Sequence, residues 1–421
     1  MTAGQARSPR FQASLAGLVD DPLRVRLHGL RPRTHVCIRA SFEDNHHQTW
    51  RSETMFAADG TGVVDLATAI PSDGAWSQPD PYGLLWSMRA VTGHPASYAQ
   101  AFTGSTRPLV VTLTALLDGK GAAQIQLERR FVAEGVRCSE WRDGDLVANL
   151  FLPAGDGPWD ATLVLEGVFG GFIWANEVAA LLASRGRAAL AVAYFDWQGR
   201  YGLPTSLTEI PLEYFHGAIE RLRGHPQVRM EDLAAVGISK GAELALLLAS
   251  TYPEIQRVVA KVPSAYVWEA VRKDPGAPAR SSWMIDQRPL PYIAFAADEE
   301  FYRTFDKTRL LAFHERALRD TAVLRPARIR IERSEAQVLL LSIAEDRTWP
   351  STLMCTHMVK TMREAGKVGL VTHLVIEGRH HGLSPPGLPI NTAGDPAVNA
   401  RGELRSWMAT LIHLGLKPPR A

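Results

Sequence analysis

The chain has 421 residues and a net charge of +2, with 46% hydrophobic and 21% charged residues. That length and balance suit two domains with a large buried core and exclude a disordered or fibrous chain. Acids and bases are interspersed, so no one-signed face points to nucleic acid or to a membrane surface as partner.

The first stretch, Met1–Pro22, lacks the apolar core of a signal peptide. No later segment reaches the roughly 18 to 20 apolar residues of a membrane span. Cys37, Cys138 and Cys355 are few, odd in number and far apart. They imply a reducing compartment, no disulfide framework and buried small hydrophobes at all three positions. The expected location is the cytoplasm, and the abundance of arginine and alanine fits a GC-rich bacterial genome.

Up to about residue 150 the pattern is short and alternating. Leu23–Leu30, His35–Asp44, Leu109–Leu116 and Ala123–Val132 read as strands separated by turn signals such as "DDP", "ADGTG" and "LDGKG". With no helical run between them, a β-sandwich is expected. Asp80–Val91, "DPYGLLWSMRAV", breaks the pattern. Arg142–Asp160 reads as a last hairpin followed by a polar connection, which sets domains at 12–145 and 146–421.

The second half alternates strand and helix. Ala161–Gly167, Ala188–Asp196 and "LAAVGI" read as buried strands, and Trp174–Gly186, Pro211–Pro226 and "KGAELALLLAS" as helices. Ala336–Asp346 and Val371–Gly378 are further strands around a helical run. This order predicts an α/β fold with a doubly wound, mostly parallel sheet. Residues 268–326 interrupt it as an insertion, expected to shape the substrate site from the edge of the sheet.

Gly237-Ile238-Ser239-Lys240-Gly241 matches G-x-S-x-G, with a strand before it and a helix after it. Such a turn presses strand and helix backbones together, so glycine is needed at both flanks, and it lifts the serine hydroxyl to the top of the sheet. A serine nucleophile needs an acid and then a histidine later in the chain. Asp346, with Glu345 as the alternative, ends an apolar strand; His380 and His381 follow the next strand on a Gly/Pro-rich loop. His380 has surface exposure as its simplest reading. His216 and His314 lie in helix-like runs without comparable context. An oxyanion site would use the backbone N–H of Lys240 and a second N–H from the loop Gly167–Gly171, at Phe169 or Gly170. No histidine–carboxylate set with metal spacing is expected, and the chemistry calls for no cofactor.

At these residues the sequence resembles the acyl-CoA thioesterase / bile acid-CoA:amino acid N-acyltransferase family. The resemblance covers most of the chain. "DDPLRVRLHGLRP", "YGLLWSM" and "ERRFVAEGVR" are similar to the family's N-terminal sandwich, and "IPLEYFHGAIERLRGHPQV" with "VGISKGAELALLLAS" to its nucleophile region. "EDRTWPS" resembles its acid motif, which favours Asp346, and "HGLSPP" its histidine motif, which favours His381. The family usually has glycine where this chain has His380, just before that histidine. The resemblance implies an α/β-hydrolase domain with a Ser-His-Asp triad acting on an acyl thioester of CoA or of a carrier protein. Serine as nucleophile leans towards hydrolysis. The alternatives are acyl transfer to an amine or alcohol, an esterase or peptidase, and a non-catalytic binding protein.

Overall fold

The computed structural model describes residues 8–92, 104–142, 144–271, 278–295, 297–304, 306–390 and 393–419. By internal contacts the chain divides between Ala133 and Glu134, and Pro385–Leu404 returns to the first unit.

In the first unit, period-two burial makes strands with one apolar face. The elements are β1 (Arg10–Ala13), β2 (Ala16–Leu18), β3 (Val25–His28), β4 (His35–Glu43), β5 (Thr49–Ala57), β6 (Val64–Asp65), helix α1 (Gly83–Trp86), β7 (Arg89–Ala90), β8 (Leu109–Leu117) and β9 (Lys120–Arg130). They form a six-stranded sheet, β2-β9-β8-β4-β5-β7, and a three-stranded sheet, β1-β3-β6. On β4, Val36, Ile38, Ala40 and Phe42 are buried; on β8, Leu109, Val111, Leu113 and Ala115 are buried. The interruption at residues 80–91 is α1 and β7, with Trp86 fixed through its indole N–H to Asp80 Oδ2 at 2.8 Å.

The second unit begins earlier than residue 146. The reason is β10 (Arg137–Trp141), which pairs antiparallel with β11 (Val147–Leu152) and so joins the larger sheet. There follow β12 (Trp159–Leu165), α2 (Ala175–Ser184), β13 (Ala188–Ala193), β14 (Ile210–Pro211), α3 (Leu212–Arg223), β15 (Val228–Ile238), α4 (Lys240–Thr251) and β16 (Ile255–Lys261). The insertion holds β17 (Trp283–Ile285), β18 (Arg288–Pro289), α5 (Glu299–Thr304), α6 (Leu310–Ala317) and α7 (Thr321–Ala327). The core then resumes with β19 (Gln337–Ile343), α8 (Ser351–Glu364) and β20 (Val371–Ile376); of the last helix, α9 (Pro396–His413), the residues from Arg405 on belong to this unit.

The eight-stranded order is β10-β11-β13-β12-β15-β16-β19-β20. From β13 to β20 every pairing is parallel. β13 and the last part of β15 are buried at every position. Strands covered on both faces read as unbroken apolar runs, which is why they were visible in the sequence. The chain runs outward from β12 to β13 and then back across to β15. The order therefore reverses beside β12, and the crevice past the carboxyl ends of β12 and β15 is the place where such sheets bind ligands. The loops that leave those two ends begin at Glu166 and Ser239. Among the described residues no helix is long and apolar enough to cross a membrane.

Candidate active site

At the end of β15 the backbone turns abruptly into α4. Ser239 stands at the turn with φ 55° and ψ −118°, a conformation that costs a non-glycine residue energy and persists only when its surroundings enforce it. Both flanking glycines are required by contact. A Cβ on Gly237 would lie 2.0 Å from the carbonyl oxygen of Gly241, and one on Gly241 would lie 2.3 Å from those of Leu165 and Glu166. The Ser239 N–H donates to Lys261 O at 2.9 Å, and its carbonyl accepts from Ala242 and Glu243 in the first turn of α4.

The acid and the histidine come from the next two strand ends. Asp346, just past β19, is buried, and its Oδ1 accepts from the N–H groups of Thr348 (2.9 Å) and Trp349 (3.3 Å). His381, past β20, has Nδ1 2.8 Å from that same oxygen and Nε2 2.9 Å from Ser239 Oγ. A carboxylate only accepts, so Nδ1 carries the proton and Nε2 is left to accept from the serine hydroxyl. The three side chains form one hydrogen-bonded line. Glu345, the alternative acid, instead faces Arg379 at 3.5 Å.

His380 is not a surface residue. It is 2% exposed, and Nδ1 accepts from the Gly382 N–H at 3.2 Å. Burial, with the His381 charge opposing protonation, brings its pKa down to about 4. The helix pattern likewise concealed His314, which α6 turns inward against Trp268 (4.6 Å between ring centroids), Phe295 (4.7 Å) and Trp349 (5.7 Å). Trp349 in turn meets the His381 ring edge-on at 5.6 Å, while its indole donates to Val262 O at 3.0 Å. Val262 is strained at φ 44°, an outlier for a β-branched residue. The insertion thus reaches His381 through aromatic rings. No local sequence pattern announces this.

Below the serine, the Lys240 ammonium is buried 2.6 Å from Glu243 Oε1, which also accepts from the Trp283 indole at 2.7 Å. Burial pushes the lysine down and the glutamate up, and each is drawn back by the other's charge. Trp283 belongs to the insertion, so this ion pair ties the insertion to α4.

The loop after β12 is organised by Glu166. Its carboxylate accepts from the N–H groups of Gly167 (2.9 Å), Trp174 (2.5 Å) and Ala175 (3.1 Å), capping α2. Burial still raises its pKa to about 7 against those three bonds. Gly170 and Gly171 take φ of 75° and 60°, and Phe169 is exposed.

Two further expectations change. Cys138 is exposed, because β10 is the edge strand, and Cys37 is partly exposed; only Cys355 is fully buried. A histidine–carboxylate set does occur: ligand atoms of His216, Glu220 and Glu254 lie within 4.8 Å of one another. Arg223 already pairs with both glutamates, at 3.3 and 3.4 Å.

Residues 20–143 match the acyl-CoA thioester hydrolase/BAAT N-terminal region, and residues 210–401 the BAAT/acyl-CoA thioester hydrolase C-terminal region. The chain is 31% identical to acyl-coenzyme A thioesterase 2, mitochondrial, of Rattus norvegicus, over 98% of this chain and 91% of that protein. It is 30% identical to acyl-coenzyme A thioesterase 1 of the same species, over 94% and 93% of the two. Among solved structures, a Mycobacterium tuberculosis puromycin-hydrolysing peptidase aligns with a TM-score of 0.44 at 14% identity, covering 94% of this chain and 58% of its own. The chain belongs to the acyl-CoA thioester hydrolase/BAAT family.

Proposed function

We propose that the protein is a serine-dependent acyl-CoA thioesterase that works through an acyl-enzyme on Ser239. The observation that carries this reading is the hydrogen-bonded line from Ser239 Oγ through His381 to Asp346. Thioesterase relatives at about the same length supply the substrate class.

His381 Nε2 takes the hydroxyl proton as Ser239 Oγ attacks the thioester carbonyl. Asp346 holds the imidazole in the tautomer that can accept that proton and stabilises the imidazolium once it forms. The Lys240 N–H and one from the loop after β12 receive the oxyanion. His381 returns its proton to the leaving CoA thiolate, then activates water, whose oxygen attacks the Ser239 ester. Collapse releases the acid and restores the serine.

Mass spectrometry of protein quenched with straight-chain acyl-CoA thioesters tests the reading. The wild type gains the acyl mass on Ser239 and yields free acid, with no amide product when glycine or taurine is added. Ser239→Ala gains none and loses roughly 10³-fold or more in turnover. Turnover at the wild-type rate in that variant would overturn it.

A further inference from the structure

The oxyanion site needs an N–H group that has no other partner and is held still. Accounting for the backbone of the loop after β12 narrows the choice. The Gly167 N–H is taken by Glu166, and the Gly171 N–H by Phe195 O at 2.8 Å. Those of Val168, Phe169 and Gly170 have no acceptor among the described residues.

The loop after β13 decides among these three. The Trp197 indole N–H donates to Val168 O at 2.8 Å, and the ring stands edge-on to Phe195 at 5.5 Å. The turn carrying Trp197 is itself rigid: Asp196 is buried, accepts the Arg200 N–H at 2.8 Å and pairs with its guanidinium at 2.9 Å. A trans peptide is planar, and its C=O and N–H point in opposite directions. The carbonyl of Val168 and the N–H of Phe169 belong to one such plane. Fixing the first on Trp197 fixes the second on the opposite side of the loop. Among the described residues, neither the Gly167–Val168 nor the Phe169–Gly170 peptide has its carbonyl anchored by a side chain in this way.

We infer that Trp197 is a positioning residue for the oxyanion site, and that the Phe169 N–H, rather than that of Gly170, partners the Lys240 N–H there. This rests on the serine reading above. Trp197 would act only through the peptide it holds and would touch no substrate atom. A burial role alone would show up in stability and substrate affinity. An oxyanion role shows up where charge develops on the carbonyl oxygen.

The test replaces Trp197 with phenylalanine and, separately, with 3-benzothienylalanine, in which sulfur stands in place of the indole N–H at almost unchanged shape. Turnover, KM, Tm and the affinity for a trifluoromethyl ketone analogue of the acyl-CoA, which forms a tetrahedral oxyanion on the serine, are compared with wild type. Both variants lose roughly 10- to 100-fold in kcat and in ketone affinity together, a fraction of what deleting an oxyanion donor costs. KM and Tm hold. Unchanged kcat and ketone affinity, or a change confined to KM or Tm, would overturn the assignment. If the phenylalanine variant does not fold, the benzothienyl variant decides. Ser239→Ala separates the two claims. An inactive Ser239→Ala with normal Trp197 variants defeats only the positioning role; an active one, with no ketone adduct in wild type, defeats the serine reading and this inference with it.

Discussion

The two sides of the site are held by different means. On the nucleophile side the backbone does the work: Gly237 and Gly241 let α4 press onto the ends of β12 and β15, and Ser239 is driven to φ 55° as a result. On the acid–base side Asp346 and His381 take no left-handed backbone, and beyond the Thr348 and Trp349 N–H groups on Asp346, side chains do the holding. Trp349 closes on His381, His314 on Trp349, and Trp268 on His314. A main-chain device has few parts and fails outright when one is changed. A side-chain device has many parts, and each can be weakened separately.

The severest break on the acid–base side is Asp346→Asn. The amide keeps the shape, and its oxygen can stay on the Thr348 and Trp349 N–H groups that share Oδ1 with His381, but the negative charge that stabilises the imidazolium is lost. A fall in kcat on the order of 10⁴-fold is expected, with KM little changed. If Glu345→Gln were the crippling change in a parallel assay, Asp346 would not be the acid.

The matching break on the nucleophile side is Gly241→Ala. The added Cβ would lie 2.3 Å from two carbonyl oxygens at the end of β12, and neither strand nor helix can yield. A loss of about 3 kcal/mol or more is expected in urea unfolding. Gly217→Ala on α3 is the contrast, since a Cβ there meets nothing within 4 Å. It should gain up to about 1 kcal/mol from helix propensity. Equal effects of the two changes would refute the claim that packing fixes the elbow.

This difference also explains what could be read from the sequence. The elbow was legible because its requirement is local: glycine, any residue, serine, any residue, glycine, between an apolar run and a helical one. The parallel strands were legible because burial on both faces leaves unbroken apolar runs. Asp346 and His381 could be narrowed to two neighbouring residues each from strand ends, and the family likeness was needed to choose between them. His314 and Trp197 were not legible. Their roles depend on which distant backbone or ring they meet, and nothing in their own neighbourhoods encodes that. The contact boundary at Ala133–Glu134 was not legible for a related reason. Strand β10 looks like the end of a hairpin-rich domain, and only its pairing with β11 assigns it to the other sheet.

The distributed side should also be the one that responds to pH. His314 is buried among rings. Desolvation lowers its pKa to about 4; the Leu310 carbonyl and Asp346 pull it upward, and His381 pushes it further down. In the unfolded chain a histidine titrates near 6.5. Above about pH 6.5 the ring is neutral in both states and costs nothing. Between there and about pH 4 the unfolded chain binds a proton that the folded one refuses, so stability falls as pH falls. From about pH 7 to about pH 5 one such histidine removes about 2 kcal/mol. In His314→Phe the ring volume is kept while the 2.9 Å bond to Leu310 O is lost. That variant should start about 1 kcal/mol less stable near neutral pH. Its further loss down to about pH 5 should be smaller than that of wild type by about 2 kcal/mol. His380, held low in the same way, retains its own share in both proteins. Parallel stability curves for the two would mean that α6 does not bury a neutral histidine against the acid–base side. The two sides of the site would then differ less than their geometry indicates.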